Sequence, residues 1–198
     1  MINHKIEIQL PEPLVGLFPV PVVLVTTVDS HGKQNIMTAG WVGVACSEPP
    51  MISLAVRPSR YSYELIKSSG EFVINIPTGK ILNEVDYCGK VSGRDIDKFQ
   101  KTGLRPLLAS KVHAPLIEQC PFNLECKVRS SLLLGSHELF ISEVMVVHID
   151  SKLKMDNNNK YNIIKYENTN LFVANLYEYW RLDHKIGNVY KVNERDKY

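Results

Sequence analysis

Apolar and polar positions along this chain change in short runs, most of them β-branched and most ending at turn-forming residues. Pro21-Val-Val-Leu-Val-Thr-Thr-Val28 gives way to Asp29-Ser-His-Gly-Lys33, which predicts a strand that closes at a turn. Gln34 to Cys46 resumes the pattern as the return strand of a hairpin, and Ser47-Glu-Pro-Pro50 breaks it. Met51–Val56 reads as a third strand. Ser59–Ser69 reads as a helix, with Tyr63, Leu65 and Ile66 at helical spacing and Gly70 as its stop. Glu71–Ile76 is a fourth strand, closed by Pro77. A short helix is predicted over Lys80–Tyr87, a polar loop through Ser92–Asp95 and a helical turn over Asp97–Lys101. Pro121 opens a long hairpin, Phe122–Leu134 and Glu138–Ile149, with Gly135-Ser-His137 at the bend. Lys152–Tyr161, rich in Asn and Lys, reads as a solvated loop. A last strand over Leu171–Asn175 leads into a tail around Tyr177-Glu-Tyr-Trp180.

Strands outnumber helices and mostly follow one another through hairpins. That favours a mainly β, antiparallel barrel over a doubly wound sheet. The 198 residues suit a single domain, 1–198, with a tail from about 177. Composition is that of an ordinary globular protein, 44% apolar and 22% charged. Twenty-three basic residues against 21 acidic leave a net charge of +2, too balanced for a nucleic-acid partner. No apolar run is long enough to cross a bilayer, and the amino end has no hydrophobic signal core. Cys46, Cys88, Cys120 and Cys126 are scattered and form no C-x-x-C pair. Reduced thiols in a cytoplasmic protein follow, and no metal set is indicated.

The familiar nucleotide loops are missing, both G-x-x-x-x-G-K-[ST] and a strand-linked G-x-G-x-x-G. No G-x-S-x-G elbow supplies a hydrolytic serine. A phosphate would need side chains and a helix end, and Arg57-Pro-Ser-Arg-Tyr-Ser62 offers both. Arg57 and Arg60 could supply charged forks, Ser59 and Ser62 hydroxyl donors; alternatively Ser59 caps the helix and the arginines are solvated. Gln34-Asn-Ile-Met-Thr-Ala-Gly-Trp41 places small and hydroxyl residues before a Trp, so a backbone could approach a flat ligand. It reads equally as a strand with a core Trp. In Ser92-Gly-Arg-Asp-Ile-Asp-Lys-Phe99, Lys98 could reach an anion, or Asp95 or Asp97 could simply cap a short helix. His137 beside Glu138 sits at a hairpin bend, where an exposed His is unremarkable. Asp29 with His31, and Asp183 with His184, sit at turns and read as solvated polar pairs.

In order and spacing these segments resemble the flavin reductase-like family of FMN-binding split barrels, its flavoredoxin-type branch above all. The resemblance runs from about Phe18 to Lys191. It is carried by Pro19–Thr27, Asn35–Trp41, Ser53–Ser62, Phe72–Pro77, Cys88-Gly89 with Ser92–Phe99, and Gly135–Glu143. The resemblance implies a six-stranded, Greek-key split β-barrel that works as a homodimer with FMN near the subunit interface. It implies that Arg57, Ser59, Arg60 and Ser62 hold the phosphate. Asn35, Met37, Thr38, Ala39 and Trp41 would line the ring and ribityl chain. Ser92, Gly93 and Lys98 would approach from the following loop, His137 would sit near the flavin as the nearest catalytic candidate, and an aromatic near Phe172 would cover one side. NADH or NADPH would be the electron donor, and free flavin or a redox protein the acceptor. A non-enzymatic FMN electron carrier is the alternative. The family's closing segment more often has a Gly-acidic pair where this chain has Asp183-His184.

Overall fold

The computed structural model describes residues 16–153, 169–175, 177–184 and 186. Its strands are β1 (Val20–Pro21), β2 (Val23–Val28), β3 (Gln34–Ala39), β4 (Val42–Ser47), β5 (Pro50–Val56), β6 (Glu71–Ile76), β7 (Pro106–Leu107), β8 (Leu116–Ile117), β9 (Phe122–Leu134), β10 (His137–Ile149), β11 (Phe172–Asn175) and β12 (Glu178–Arg181). The helices are α1 (Tyr61–Ser69), α2 (Leu82–Lys90), which follows a single 3-10 turn over Gly79–Ile81, and α3 (Lys98–Thr102). The expected loop from 152 falls mostly outside the described residues.

The turn after β2 forms as its residues dictate. Asp29 accepts from the backbone N–H groups of His31 and Lys33, both at 2.8 Å, and Gly32 takes a left-handed φ of 84°. The return run does not form one strand. It is divided at Gly40–Trp41, so β3 pairs with β2 while β4 pairs with β5. The main sheet runs β3-β2-β6-β9-β10-β5-β4, seven strands whose two edges are consecutive in sequence. Trp41 bridges the change of partner, its carbonyl accepting from the Ala55 N–H at 2.9 Å.

Alternation along the strands divides the core in two. Val23 and Val25 of β2 face Leu54, Val56, Phe72, Ile74 and Phe140, with Ile66 of α1 closing that side. Leu24 and Ile36 face the other way, against Val85 and Cys88 of α2 and Phe99 of α3. α1 ends at Gly70, φ 70°, whose N–H returns to the Ile66 carbonyl. Residues 178–181, expected in a tail, form a strand instead: β12 pairs with β11, and β11 with β1, in a separate three-stranded sheet.

Buried polar groups fasten the segment between β7 and β9 to the sheet. Asn75, fully buried, donates to the Leu24 carbonyl and Thr26 hydroxyl, and its Oδ1 accepts from Ile117 N–H and Asn123 Nδ2 at 2.9 and 2.8 Å. Glu125, equally buried, accepts from the backbone N–H groups of Ser110, Lys111 and Val112 and contacts His148 Nε2. Removing such a group leaves its partners dry and unpaired. Asn75→Ala is therefore expected to cost about 2–4 kcal/mol of stability, read from the midpoint of urea unfolding; a loss below about 0.5 kcal/mol would show that the network contributes little.

Candidate functional site

Two adjoining clefts open along β3. The first, about 160 Å³, lies between β3, the start of α1, the end of α2 and the 91–95 loop. The second, about 230 Å³, lies between the end of β3, the Gly40–Trp41 corner, the end of β5 and the start of β10. Met37, Thr38 and Arg60 line both. Apart from Phe172, the site residues expected from the sequence border one or the other. Asn35, Ser59, Ser62, Ser92, Gly93 and Lys98 line the first; Ala39, Trp41, Arg57 and His137 line the second.

The phosphate-candidate segment sits where β5 hands over to α1. Its helix starts later than the sequence suggests: Arg60, not Ser59, is the N-cap, and no side chain caps the first turn. The amino end of α1 therefore keeps unpaired N–H groups, which favour an anion. Arg57 and Arg60 have no ion-pair partner among the described residues, and no carboxylate lines either cleft.

Ser62 is buried and its hydroxyl accepts from Asn35 Nδ2 at 2.8 Å. The other amide atom, Asn35 Oδ1, is buried without a partner. Gly93 packs directly on it, and a Cβ at that glycine would fall 1.9 Å from Asn35 Oδ1. Glycine is thus required there for close approach rather than for its φ. The 92–95 loop is pinned by Arg94, which donates to the Ser59 carbonyl, pairs with Glu64 and lies over the Tyr61 ring. Asp97 caps α3 through the Gln100 N–H at 3.0 Å.

Lys98 is buried, and its ammonium donates to the carbonyls of Ile36 and Cys88 at 2.7 and 2.8 Å. It ties the free edge of β3 to the end of α2 and has no carboxylate partner among the described residues. Burial lowers its pKa, while burial raises the neighbouring Cys88 thiol to about 11. The Thr38 hydroxyl donates to the Val85 carbonyl at 2.5 Å, so it serves packing against α2. Since the Ile36 carbonyl points away from β2, alternation sends the Thr38 N–H to the same free edge, toward the clefts.

His137 begins β10 rather than sitting in the bend, paired with Leu134 across the ladder. Its ring lies over Trp41, centroids 4.4 Å apart, and its Nδ1 is 2.9 Å from Ser136 Oγ. Burial, then the charges of Arg57 and Arg60, hold its pKa below the ordinary histidine value. Phe172 does not cover this site: it is packed in the core against α2 and meets Tyr179 edge-on. Sequence reasoning assigned no role to Tyr61, Cys88, Gly89 or Lys90, which also line the first cleft. Gly89 faces Thr38 closely enough that a Cβ would come within 3.3 Å, and only the Cys88-Gly89 pair hinted at it.

Glu138, one residue past His137, faces the opposite side of β10. It accepts from the Tyr63 hydroxyl and Lys67 ammonium of α1 at 2.6 and 2.9 Å. Lys67, Ser131 and Tyr63 together hold its pKa down at about 2, against an ordinary 4.5. A depressed carboxyl pKa stabilises the fold above the ordinary value, and that contribution fades as pH falls toward the folded one. Acid titration should therefore lower the unfolding midpoint between pH 4.5 and about 2, less steeply in Glu138→Gln. Identical slopes in the two proteins would rule out this anchor.

Residues 15–165 match the family model described as the flavin reductase like domain. An uncharacterized protein of Archaeoglobus fulgidus is 38% identical over 136 residues, 68% of this chain and 76% of that one. The structure of flavoredoxin from Desulfovibrio vulgaris (Miyazaki F) superposes with a TM-score of 0.83 at 28% identity, covering 93% of this chain and 99% of the other. Flavoredoxin from Methanosarcina acetivorans gives the same TM-score at 26% identity, covering 96% and 98%.

Proposed function

The chain belongs to the flavin reductase like domain family, and from that premise we propose that it binds FMN in the paired clefts and works as a flavin-dependent oxidoreductase. The observation that carries this reading is the charge of the site. Two arginines without ion-pair partners among the described residues flank a helix start that no side chain caps, and a buried lysine stands behind them. A dianionic phosphate on a slender ligand answers that imbalance. The orphaned Asn35 Oδ1 and the small Gly93 beside it fit a polar chain threaded along β3.

In this reading Arg57, Arg60 and the first N–H groups of α1 hold the phosphate, with Ser59 and Ser62 beside them. The Thr38 N–H addresses the polar edge of the ring, and the Trp41–His137 stack borders its open side. Bound FMN supplies the hydride and electron chemistry. Lys98 keeps positive potential behind the ring while bracing β3 to α2. His137, its pKa held below the ordinary histidine value, borders the second cleft beside the flavin, and NADH or NADPH would be the electron donor. The acceptor is free flavin or a redox protein.

The sheet has seven strands; the proposal of a six-stranded split barrel counts β3 and β4 as one bent strand that contributes both edges. Exposed Val44, Trp41 and Leu132–Leu134 gather apolar surface near the corner and the hairpin end, which supports a homodimer. The four unpaired cysteines accord with a cytoplasmic protein. An electron carrier reduced by a protein partner is the second reading; the similarity to two flavoredoxins favours it.

The purified protein is expected to show an oxidised flavin spectrum that bleaches within seconds on anaerobic addition of NADH or NADPH. A flavin spectrum that persists selects the carrier, and failure to bind added FMN defeats both. Arg57→Ala/Arg60→Ala should weaken FMN binding by about a hundredfold or more, measured by fluorescence quenching, with far-ultraviolet circular dichroism unchanged. Undiminished affinity would refute the phosphate assignment.

A further inference from the structure

A separate cleft of about 350 Å³ opens at the amino end of α2, between the Gly79–Ile81 turn and the β11–β12 ribbon. Its charged lining is wholly cationic: Lys80 and Arg181, neither with an ion-pair partner among the described residues. Phe172 and Tyr179 form an aromatic wall, set edge-on at 5.6 Å. The turn is held to the ribbon by the Gly79 N–H, which donates to the Asn170 carbonyl at 2.8 Å. Asn170 adopts a left-handed φ of 52°, which asparagine tolerates better than other non-glycine residues.

One face of α2 joins this cleft to the flavin site. Leu82, Asp86 and Lys90 are four residues apart and so lie in a row. Leu82 lines the cationic cleft, Asp86 accepts from the Tyr179 hydroxyl at 3.5 Å, and Lys90 borders the first flavin cleft. Asp86, the carboxylate on this path, is neutralised by Lys90 at 2.5 Å. The row spans about 12 Å at the helical rise, a distance that an extended dinucleotide can cover.

We propose that this cleft binds the adenosine-phosphate half of a nicotinamide dinucleotide, with Lys80 and Arg181 on the phosphates and Tyr179 against the adenine. The inference rests on the reading of the paired clefts as a flavin site served by a nicotinamide donor, and it explains how a chain without a glycine-rich dinucleotide loop could hold that donor. Exposed cations on two separate elements replace the backbone cradle, and an aromatic face receives the base.

The test is calorimetric titration of the FMN-loaded protein with ADP, repeated with inorganic pyrophosphate and on flavin-free protein. ADP should bind, and pyrophosphate should bind more weakly because it cannot use the aromatic wall. Lys80→Gln/Arg181→Gln, both at surface side chains, should weaken ADP binding about tenfold or more while FMN affinity stays unchanged. Tyr179→Leu should reduce the preference for ADP over pyrophosphate. Absence of ADP binding by the wild-type protein, equal binding of pyrophosphate, or full ADP affinity in the double variant would each overturn the proposal. Failure of the flavin reading would show instead as absence of FMN binding in the same wild-type sample.

Discussion

The architecture depends on the change of partner at Gly40–Trp41. A strand that leaves β2 there and joins β5 becomes both edges of one sheet, and every functional element follows from that. β3 keeps one edge free of strand partners, so its outward amides and carbonyls face α2, α3 and the clefts. β4 carries the chain to β5, which ends at Arg57, beside the start of β10. A straight strand through residues 34–46 would put Trp41 and Asn35 in one ladder and leave Arg57 and His137 with nothing to face.

The polar interior shows where the fold tolerates cost and where it does not. Asn75 and Glu125 sit where water is absent, and their accepting atoms meet several donors. Lys98 is different: among the described residues its buried ammonium is met by carbonyl dipoles alone. Such an arrangement is less favourable than an ion pair with good geometry, and stabilising the charge would be easier with an anion nearby. Lys98 stands at the wall of the first cleft, where the charge of Arg60 adds to burial in lowering its pKa.

Much of this was legible in the sequence. The β-branched runs and their turn residues gave the strands of the central sheet within a residue or two, because alternation and Gly, Asn and Pro punctuation are local signals. Cationic residues at a strand-to-helix junction marked the candidate anion site for the same reason. What escaped was set by distant partners. Nothing local distinguishes Gly40–Trp41 as a corner, since Trp41 bonds to Ala55 only after the sheet forms. The β12 strand was missed because Glu178–Arg181 is short and exposed throughout, with no alternation of buried and exposed positions, and its pairing with β11 is set by the fold. Ser59 looked like a cap by residue type, yet the helix begins one residue later. Phe172 was expected at the flavin and lies in the core, because β11 pairs with β1 beside α2.

His137 and Glu138 are neighbours in one strand and must point to opposite faces. The first touches the Trp41 ring above the cleft; the second grips Tyr63 and Lys67 on the helix whose start carries Arg60. The two walls of the cleft are therefore cross-linked through a single peptide bond. A ligand that engages both walls meets a frame whose relative motions are already restricted, and little entropy remains to be lost on association.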